Sequence, residues 1–474
     1  MMRRKARVGL VGLGLEAYWP QFAGLEERLQ GYVARVAEKL AGGGVEVVNL
    51  GLIDTPQGGM EAGHRLRQED VDLLVIYATT YALSATVLPM VQRAKVPVLL
   101  LNLQPEAAID YAAFNKLPGR TAMTGEWLAY CGACPVPEIA NVLRRARLAF
   151  HQVTGWLGDE SCWREIGEWM EAANVVEALR HNRVGLMGHY YSGMMDIVTD
   201  LTAVAATFGG HFEMLEVDAL SGLRSQVTGD EIAARVKEFA GEFDVQADCS
   251  AAELERAAKT SVALDRMVET NELTSLAYFY SGSGVAANED TMSSIILGTS
   301  MLTARGVPVA GEYEVKNVVA MKMMDELGTG GSFTEFYAAD FADDVVLMGH
   351  DGPGHTGIAE GQCKVRPLEV YHGKVGRGLS VEMSVKHGPV TILSVVEDGG
   401  SFLLLMAEGM VEAGPILEIG NTNSRFRFPL GARGFIEAWN AQGPAHHCAA
   451  GVGHVASRLK KVAALLGIRA VQVC

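Results

Sequence analysis

Along the first third of the chain, short apolar runs alternate with longer stretches whose apolar residues recur every three or four positions. Residues 8–11 form such a run, and Leu25, Leu29, Tyr32, Val33, Val36 and Leu40 then fall on one face of a helix. Residues 45–50, 73–77 and 98–101 read as further strands with helical patterns between them. This is the rhythm of a parallel sheet covered by helices on both faces. A charged, tryptophan-containing helix over 157–182 leads out of that region. Alternation resumes at Val184, with a strand at 184–186, a helix at 194–208 and strands at 212–217 and 276–280. Past the glycine-rich stretch 328–331 the rhythm changes. Short strand candidates at 345–348, 379–385, 390–396, 402–407 and 425–428 are separated by Gly, Pro and Asp, and no long helix intervenes before about 431. That pattern predicts an antiparallel sheet or barrel. The last forty residues return to helix and then to a strand at 468–473. The expected fold is α/β: two doubly wound parallel-sheet domains followed by a mostly antiparallel β-barrel-like C-terminal domain. The expected boundaries are 1–157 for the N-terminal domain, 158–327 for the central domain and 328–474 for the β-rich domain.

Length and charge narrow the function. A chain of 474 residues exceeds one ordinary core. A formal net charge of -16 argues against nucleic acid and against an anionic membrane face as partners. No apolar stretch reaches the length of a membrane span. The basic start and short apolar run resemble a secretion signal, but Glu16 interrupts the run and no small-residue cleavage site follows. Seven cysteines are an odd number in a large chain rather than a dense disulfide framework, so a reducing cytoplasm is the simplest compartment.

The chemistry concentrates in 311–355, which holds Glu312, Glu314, Glu335, His350 and His355, with His446 and His447 nearer the C-terminus. Carboxylate and imidazole ligands together suit Mn²⁺ or a similar divalent ion. Glu312 falls just before a helical run, Glu335 just before a likely strand, and His350 at a strand end followed by a Gly-Pro loop. Taken singly, a glutamate at a helix start is commonly a dipole partner, and two adjacent histidines suit a solvated loop. A carboxylate among the aromatic and small residues around Glu335 is costly without a partner. Other signals are weaker. Gly9, Gly12 and Gly14 do not have the GxGxxG spacing of a dinucleotide loop. Cys131 and Cys134 form a lone CxxC, compatible with a redox pair or with packing. Arg425 and Arg427 can hold a sugar hydroxyl or a phosphate, or serve as strand surface charge.

Four segments carry a resemblance. Residues 310–316 (AGEYEVK), 332–337 (SFTEFY), 348–350 (MGH) and 445–447 (AHH) are similar to motifs of the L-arabinose isomerase / L-fucose isomerase superfamily. The resemblance implies Glu312, Glu335, His350 and His447 as ligands of Mn²⁺, or of Co²⁺ or Mg²⁺ in its place, with Glu312 and Glu335 as the catalytic pair. It implies an aldose–ketose isomerase that moves a proton between C1 and C2 of a monosaccharide through an enediolate. A metal-dependent epimerase and a non-catalytic sugar-binding protein are the alternatives. It also implies a homo-oligomer, a trimer or hexamer, whose pocket borrows residues from a neighbouring copy. Glu16 and Tyr18, which follow the first strand, and His446 are candidates for contacting the sugar, since strand ends of open α/β sheets are where such contacts sit. Tyr18 and Trp19 read equally well as helix-capping and packing residues. The segment 123–135 departs from the family's pattern, which points to a sugar other than L-arabinose.

Overall fold

The computed structural model describes residues 5–369 and 376–474. Its contacts divide the chain into two compact units, Met1–Glu177 and Ala178–Cys474.

The first unit is built on strands β1 (Arg7–Leu13), β2 (Glu46–Ile53), β3 (Leu73–Ala78), β4 (Val98–Gln104) and β5 (His151–Trp156). They form a parallel sheet in the order β2-β1-β3-β4-β5. The strand order reverses between β1 and β3, which makes the sheet doubly wound. All six residues of β3 are buried, as continuous apolar runs in a sheet covered on both faces require. The helix Leu25–Gly42 buries Leu25, Leu29, Tyr32, Val33, Val36 and Leu40, the stripe that the sequence spacing predicts. Gly9 and Gly12 lie inside β1, where a Cβ would meet Leu66 and Val33 at 2.3 Å. Close packing, not a phosphate loop, accounts for these glycines.

In the second unit β6 (Arg183–Gly188), β7 (His211–Leu215), β9 (Ser275–Phe279) and β10 (Val309–Ala310) form a parallel sheet in the order β10-β9-β6-β7. This sheet reverses between β6 and β9. The intervening β8 (Asp244–Val245) pairs with β13 (Lys364–Glu369) and, through it, β14 (Arg377–Glu382). The remaining strands are β11 (Gly330–Asp340), β12 (Val345–His350), β15 (Gly388–Asp398), β16 (Ser401–Glu412), β17 (Thr422–Arg427), β18 (His447–Val452) and β19 (Arg469–Gln472). Six of them close into an antiparallel barrel, β15-β18-β11-β12-β17-β16, because β16 pairs back onto β15. Strand β19 adds to β16 in parallel.

Several elements depart from the sequence reading. The helix expected over 194–208 is a 3₁₀ turn at Met195–Ile197 and a separate helix at Leu201–Phe208. Asp200 starts the second piece by accepting from the N–H groups of Thr202 and Ala203. The strand expected over 212–217 stops at Leu215, and Val217 already opens a helix. Glu335 lies inside a strand rather than before one. The glycines at 330 and 331, at φ of 93° and 110°, begin β11 instead of separating elements.

Candidate functional site

Four elements of the second unit meet at one place. Strand β10 ends at Ala310, and the chain then turns sharply through Glu312 and Tyr313, both left-handed at φ of 57° and 66°. The Tyr313 N–H donates to the Tyr278 carbonyl at 3.0 Å and the Glu314 N–H to the Gly311 carbonyl at 3.1 Å. Glu314 then occupies the N-cap position of the helix Val315–Glu326, with no side-chain bond to the helix. The turn thus presents two carboxylates, Glu312 and Glu314, that are 4% and 1% exposed. Strand β11 supplies Glu335, whose Cα partners are His447 on β18 and Gly349 on β12. His350 follows and ends β12. A Cβ at Gly349 would meet the Thr422 carbonyl oxygen at 1.8 Å, so only glycine lets β12 approach β17 this closely beside His350. Phe333, on the Glu335 face of β11, packs its ring 4.4 Å from that of His350 and 4.3 Å from that of His447.

Ligand atoms of Glu312, His350 and His447 all lie within 4.8 Å of one another, and so do those of Glu335, His446 and His447. The two sets share His447. Glu312 Oε2 stands 3.7 Å from Nε2 of His446 and 3.7 Å from Nε2 of His447. These gaps are too long for hydrogen bonds, whereas two donors each about 2.1 Å from one ion stand up to about 4.2 Å apart. On its other side, His447 Nδ1 is 2.5 Å from Glu314 Oε2. A carboxylate accepts only, so Nδ1 carries a proton toward Glu314 and Nε2 is the nitrogen left to face Glu312. That Nε2 is buried and has no hydrogen-bond partner. A histidine oriented by a carboxylate, with a free inward nitrogen, is the arrangement metal-binding imidazoles adopt. His350 Nδ1 lies 3.3 Å from Asp351 Oδ1, an ion-pair contact rather than the hydrogen bond that orients His447. The donor set therefore fits a divalent cation, and a cation would offset burying these carboxylates together.

Burial pushes the Glu335 carboxyl above its ordinary range, with Glu312 and Asp351 adding to the rise and the two histidines opposing it. Burial disfavours the charged form of His446, but the Glu312 and Asp196 carboxylates outweigh it and lift that imidazole to about 9. His355 is also buried. Burial lowers its pKa, and its backbone N–H donates to Ser332 Oγ at 3.2 Å, but it joins neither ligand set.

The remaining candidates belong to neither ligand set. Glu16 and Tyr18 form a 3₁₀ turn after β1 in the first unit. Glu16 is exposed, and Tyr18 is partly buried with its ring edge-to-face with Phe22 at 6.0 Å. Trp19 donates Nε1–H to Asp54 Oδ2 at 2.7 Å, a packing role. Burial, together with neighbouring Cys134, pushes the Cys131 thiol up to about 12, the opposite of an activated redox thiolate. All seven cysteines are free. Arg425 is buried and bonds Asp343 at 2.6 Å, and Arg427 bonds Glu412 at 2.6 Å, so both are committed to ion pairs. Sequence reasoning assigned no role to Glu314 or Asp351, although each is at most two positions from a candidate ligand. Asp196 gave no signal at all.

No protein-family model matches the chain. Curated relatives do. The L-arabinose isomerase of Klebsiella pneumoniae (strain 342) is 25% identical over 378 residues, covering 74% of this chain and 70% of its own. That of Aeromonas salmonicida (strain A449) is 21% identical over 423 residues, covering 84% and 80%. That of Bacillus subtilis (strain 168) is 21% identical over 347 residues, covering 71% and 69%. The chain is a divergent, arabinose isomerase-like protein. Its homologues are sugar isomerases, and this arabinose isomerase-like chain carries a buried Glu/His group that could bind a metal. Among the described residues no helix is long and apolar enough to cross a membrane.

Proposed function

We propose that this protein is a cytoplasmic, metal-dependent aldose–ketose isomerase of a monosaccharide. The observation that carries the reading is His447, held by Glu314 at Nδ1 and left with a buried, unbonded Nε2 facing Glu312. Glu312, Glu335, His350 and His447 would hold the ion, Mn²⁺ or in its place Co²⁺ or Mg²⁺. When bound, such an ion would supply a Lewis acid for the oxygens of the open-chain sugar. The chain's own task is proton movement. One of Glu312 and Glu335 takes the proton from one carbon of the open-chain sugar and returns it to the other, while its partner moves the hydroxyl proton between the two oxygens. Burial raises the Glu335 carboxyl above its ordinary range, the direction that makes its carboxylate a better proton acceptor. Phe333 covers the two histidine rings on the strand side and keeps water from them.

The reading extends to a homo-oligomer, a trimer or hexamer, in which a neighbouring copy completes the pocket. It keeps Glu16, Tyr18 and His446 as sugar contacts and the division into domains 1–157, 158–327 and 328–474. Segment 123–135 supports a preferred sugar other than L-arabinose, since a pocket that loses a hydroxyl's partners rejects that sugar strongly. The test strips the protein with EDTA, restores Mn²⁺, Co²⁺ or Mg²⁺, and analyses products across a panel of aldoses and ketoses that includes L-arabinose. Metal-dependent formation of the paired ketose or aldose is expected. Epimers as sole products would make the protein an epimerase, and binding without turnover of any sugar would make it a binding protein.

A further inference from the structure

The loop after β6 reaches the site through one acidic residue. Asp196 is 250 residues from His446, yet its Oδ2 lies 3.0 Å from the His446 backbone nitrogen and 2.6 Å from the ring Nδ1. The turn that carries Asp196 is fixed on both sides. Ile197 is fully buried, and the buried Lys316, in the first turn of the helix Val315–Glu326, donates Nζ–H to the Asp196 carbonyl at 2.6 Å. The His446 ring lies against that of His447, centroids 3.8 Å apart and tilted by 41°, and is 35% exposed, so it stands where the site opens to solvent. An acceptor-only carboxylate at Nδ1 places the proton there and prevents the ring from turning over. The other nitrogen, Nε2, is then directed toward Glu312, 3.7 Å away.

We propose that Asp196 is a positioning residue that fixes the His446 ring, with Nε2 facing Glu312, so that Nε2 hydrogen-bonds a hydroxyl of the bound open-chain sugar. The proposal rests on the isomerase reading for the identity of the ligand, but the ring's fixation is a property of the protein alone. Three variants separate positioning from simple pinning of the loop. Asp196→Ala removes both acceptor contacts. Asp196→Asn keeps an oxygen that accepts from both N–H groups. His446→Ala removes the ring.

In ¹⁵N-histidine-labelled protein, the His446 signals, assigned by their loss in His446→Ala, are expected to show a proton held at Nδ1. That pattern should persist in Asp196→Asn and vanish in Asp196→Ala. With the best sugar of the panel, Asp196→Ala is expected to lower kcat/KM about 10- to 100-fold, with Mn²⁺ content per chain unchanged. Asp196→Asn should recover most of the loss, and Asp196→Ala with His446→Ala should lose no more than His446→Ala alone. A His446 ring without a proton at Nδ1 in the unaltered protein would overturn the proposal. So would kcat/KM within twofold of wild type for Asp196→Ala, or losses that multiply in the double variant. If the wild-type protein converts no sugar, the isomerase reading fails, and the ring signals still decide whether Asp196 fixes His446.

Discussion

Both parallel sheets reverse strand order near their middle, between β1 and β3 in the first unit and between β6 and β9 in the second. What stands at the strand ends differs. Beyond β1 and β3 of the first sheet lie Glu16, Tyr18 and the turn of Cys131–Ala133, whose Gly132 sits against the Ala78 carbonyl. Its acidic groups there serve the fold: Glu138 accepts from the Ser84 N–H at 2.8 Å and from the Tyr81 hydroxyl at 3.0 Å. Beyond β6 and β10 of the second sheet lie Asp196, Glu312 and Glu314, each facing a histidine delivered by the barrel. A reversal of strand order creates a place for a site, but only buried charge facing buried imidazole turns the place into chemistry.

The largest expected effect tests the second sheet's side of this contrast. Glu335→Gln keeps the size of the side chain but cannot accept a proton, so turnover with saturating Mn²⁺ should fall on the order of 10³-fold with an unchanged melting curve. Activity within tenfold of wild type would remove Glu335 from the catalytic pair. Next comes the carboxylate behind His447. Glu314→Ala leaves all four proposed ligands in place but frees the His447 ring, and Mn²⁺ affinity read by chelator competition should drop about 10- to 100-fold. Unaltered affinity would mean that the bond from His447 to Glu314 does not support metal binding.

The remaining two effects are small and belong to the first sheet. Glu138→Ala should cost about 1 kcal/mol of stability in chemical denaturation and leave kcat within twofold. Bonds from the Ser84 backbone N–H, then the Ser84 and Tyr81 side chains, hold the Glu138 carboxyl below its ordinary range against the opposing effect of burial. A depressed carboxyl stabilises above its unfolded-state pKa, and that stability is lost as pH falls through its lower folded value. The stability gap between wild type and Glu138→Ala should therefore be full at neutral pH and close in acid. A gap that widens in acid would reverse the sign of the assigned shift. Smallest of all, Cys131→Ser with Cys134→Ser should change turnover less than about twofold under reducing and mildly oxidising conditions alike. A large loss would break the contrast by giving the first sheet a chemical role of its own.

Legibility in the sequence followed the same division. The helix Leu25–Gly42 faces water on one side, so its apolar stripe has a period and can be read directly. The helix Val315–Glu326 buries ten consecutive residues from Val315 to Met324 and has no period. There the polar residues hold the information. Lys316 bonds the Asp196 carbonyl, Asn317 donates to the Cys448 carbonyl at 3.5 Å, and Lys322 pairs with Glu326 at 3.0 Å. Two-residue strands such as β8 and β10 are too short for any pattern, and β13 contains Pro367 among charged residues. Strand β18 was hidden because His447–Val452 is mostly small residues that pack inside a barrel without bulky alternation. Glu312, Glu335, His350 and His447 stand among the carboxylate and imidazole candidates of the sequence, but only the four motifs single them out as a set. Glu314 lay in plain view within one of them, but its bond to His447 spans 133 residues that no local spacing encodes.

The left-handed pair Glu312–Tyr313 has a consequence for anyone who evolves this protein. Left-handed backbone costs a non-glycine residue about 1 kcal/mol or more, and two such residues in succession are held there by their surroundings. Selection for survival of heating alone would favour glycine or asparagine at both positions. Selection for turnover would keep the carboxylate at 312. A library sorted only for thermal resistance should therefore drift at this dipeptide early and lose activity as it gains stability, while a library sorted for both should hold 312 fixed and vary 313.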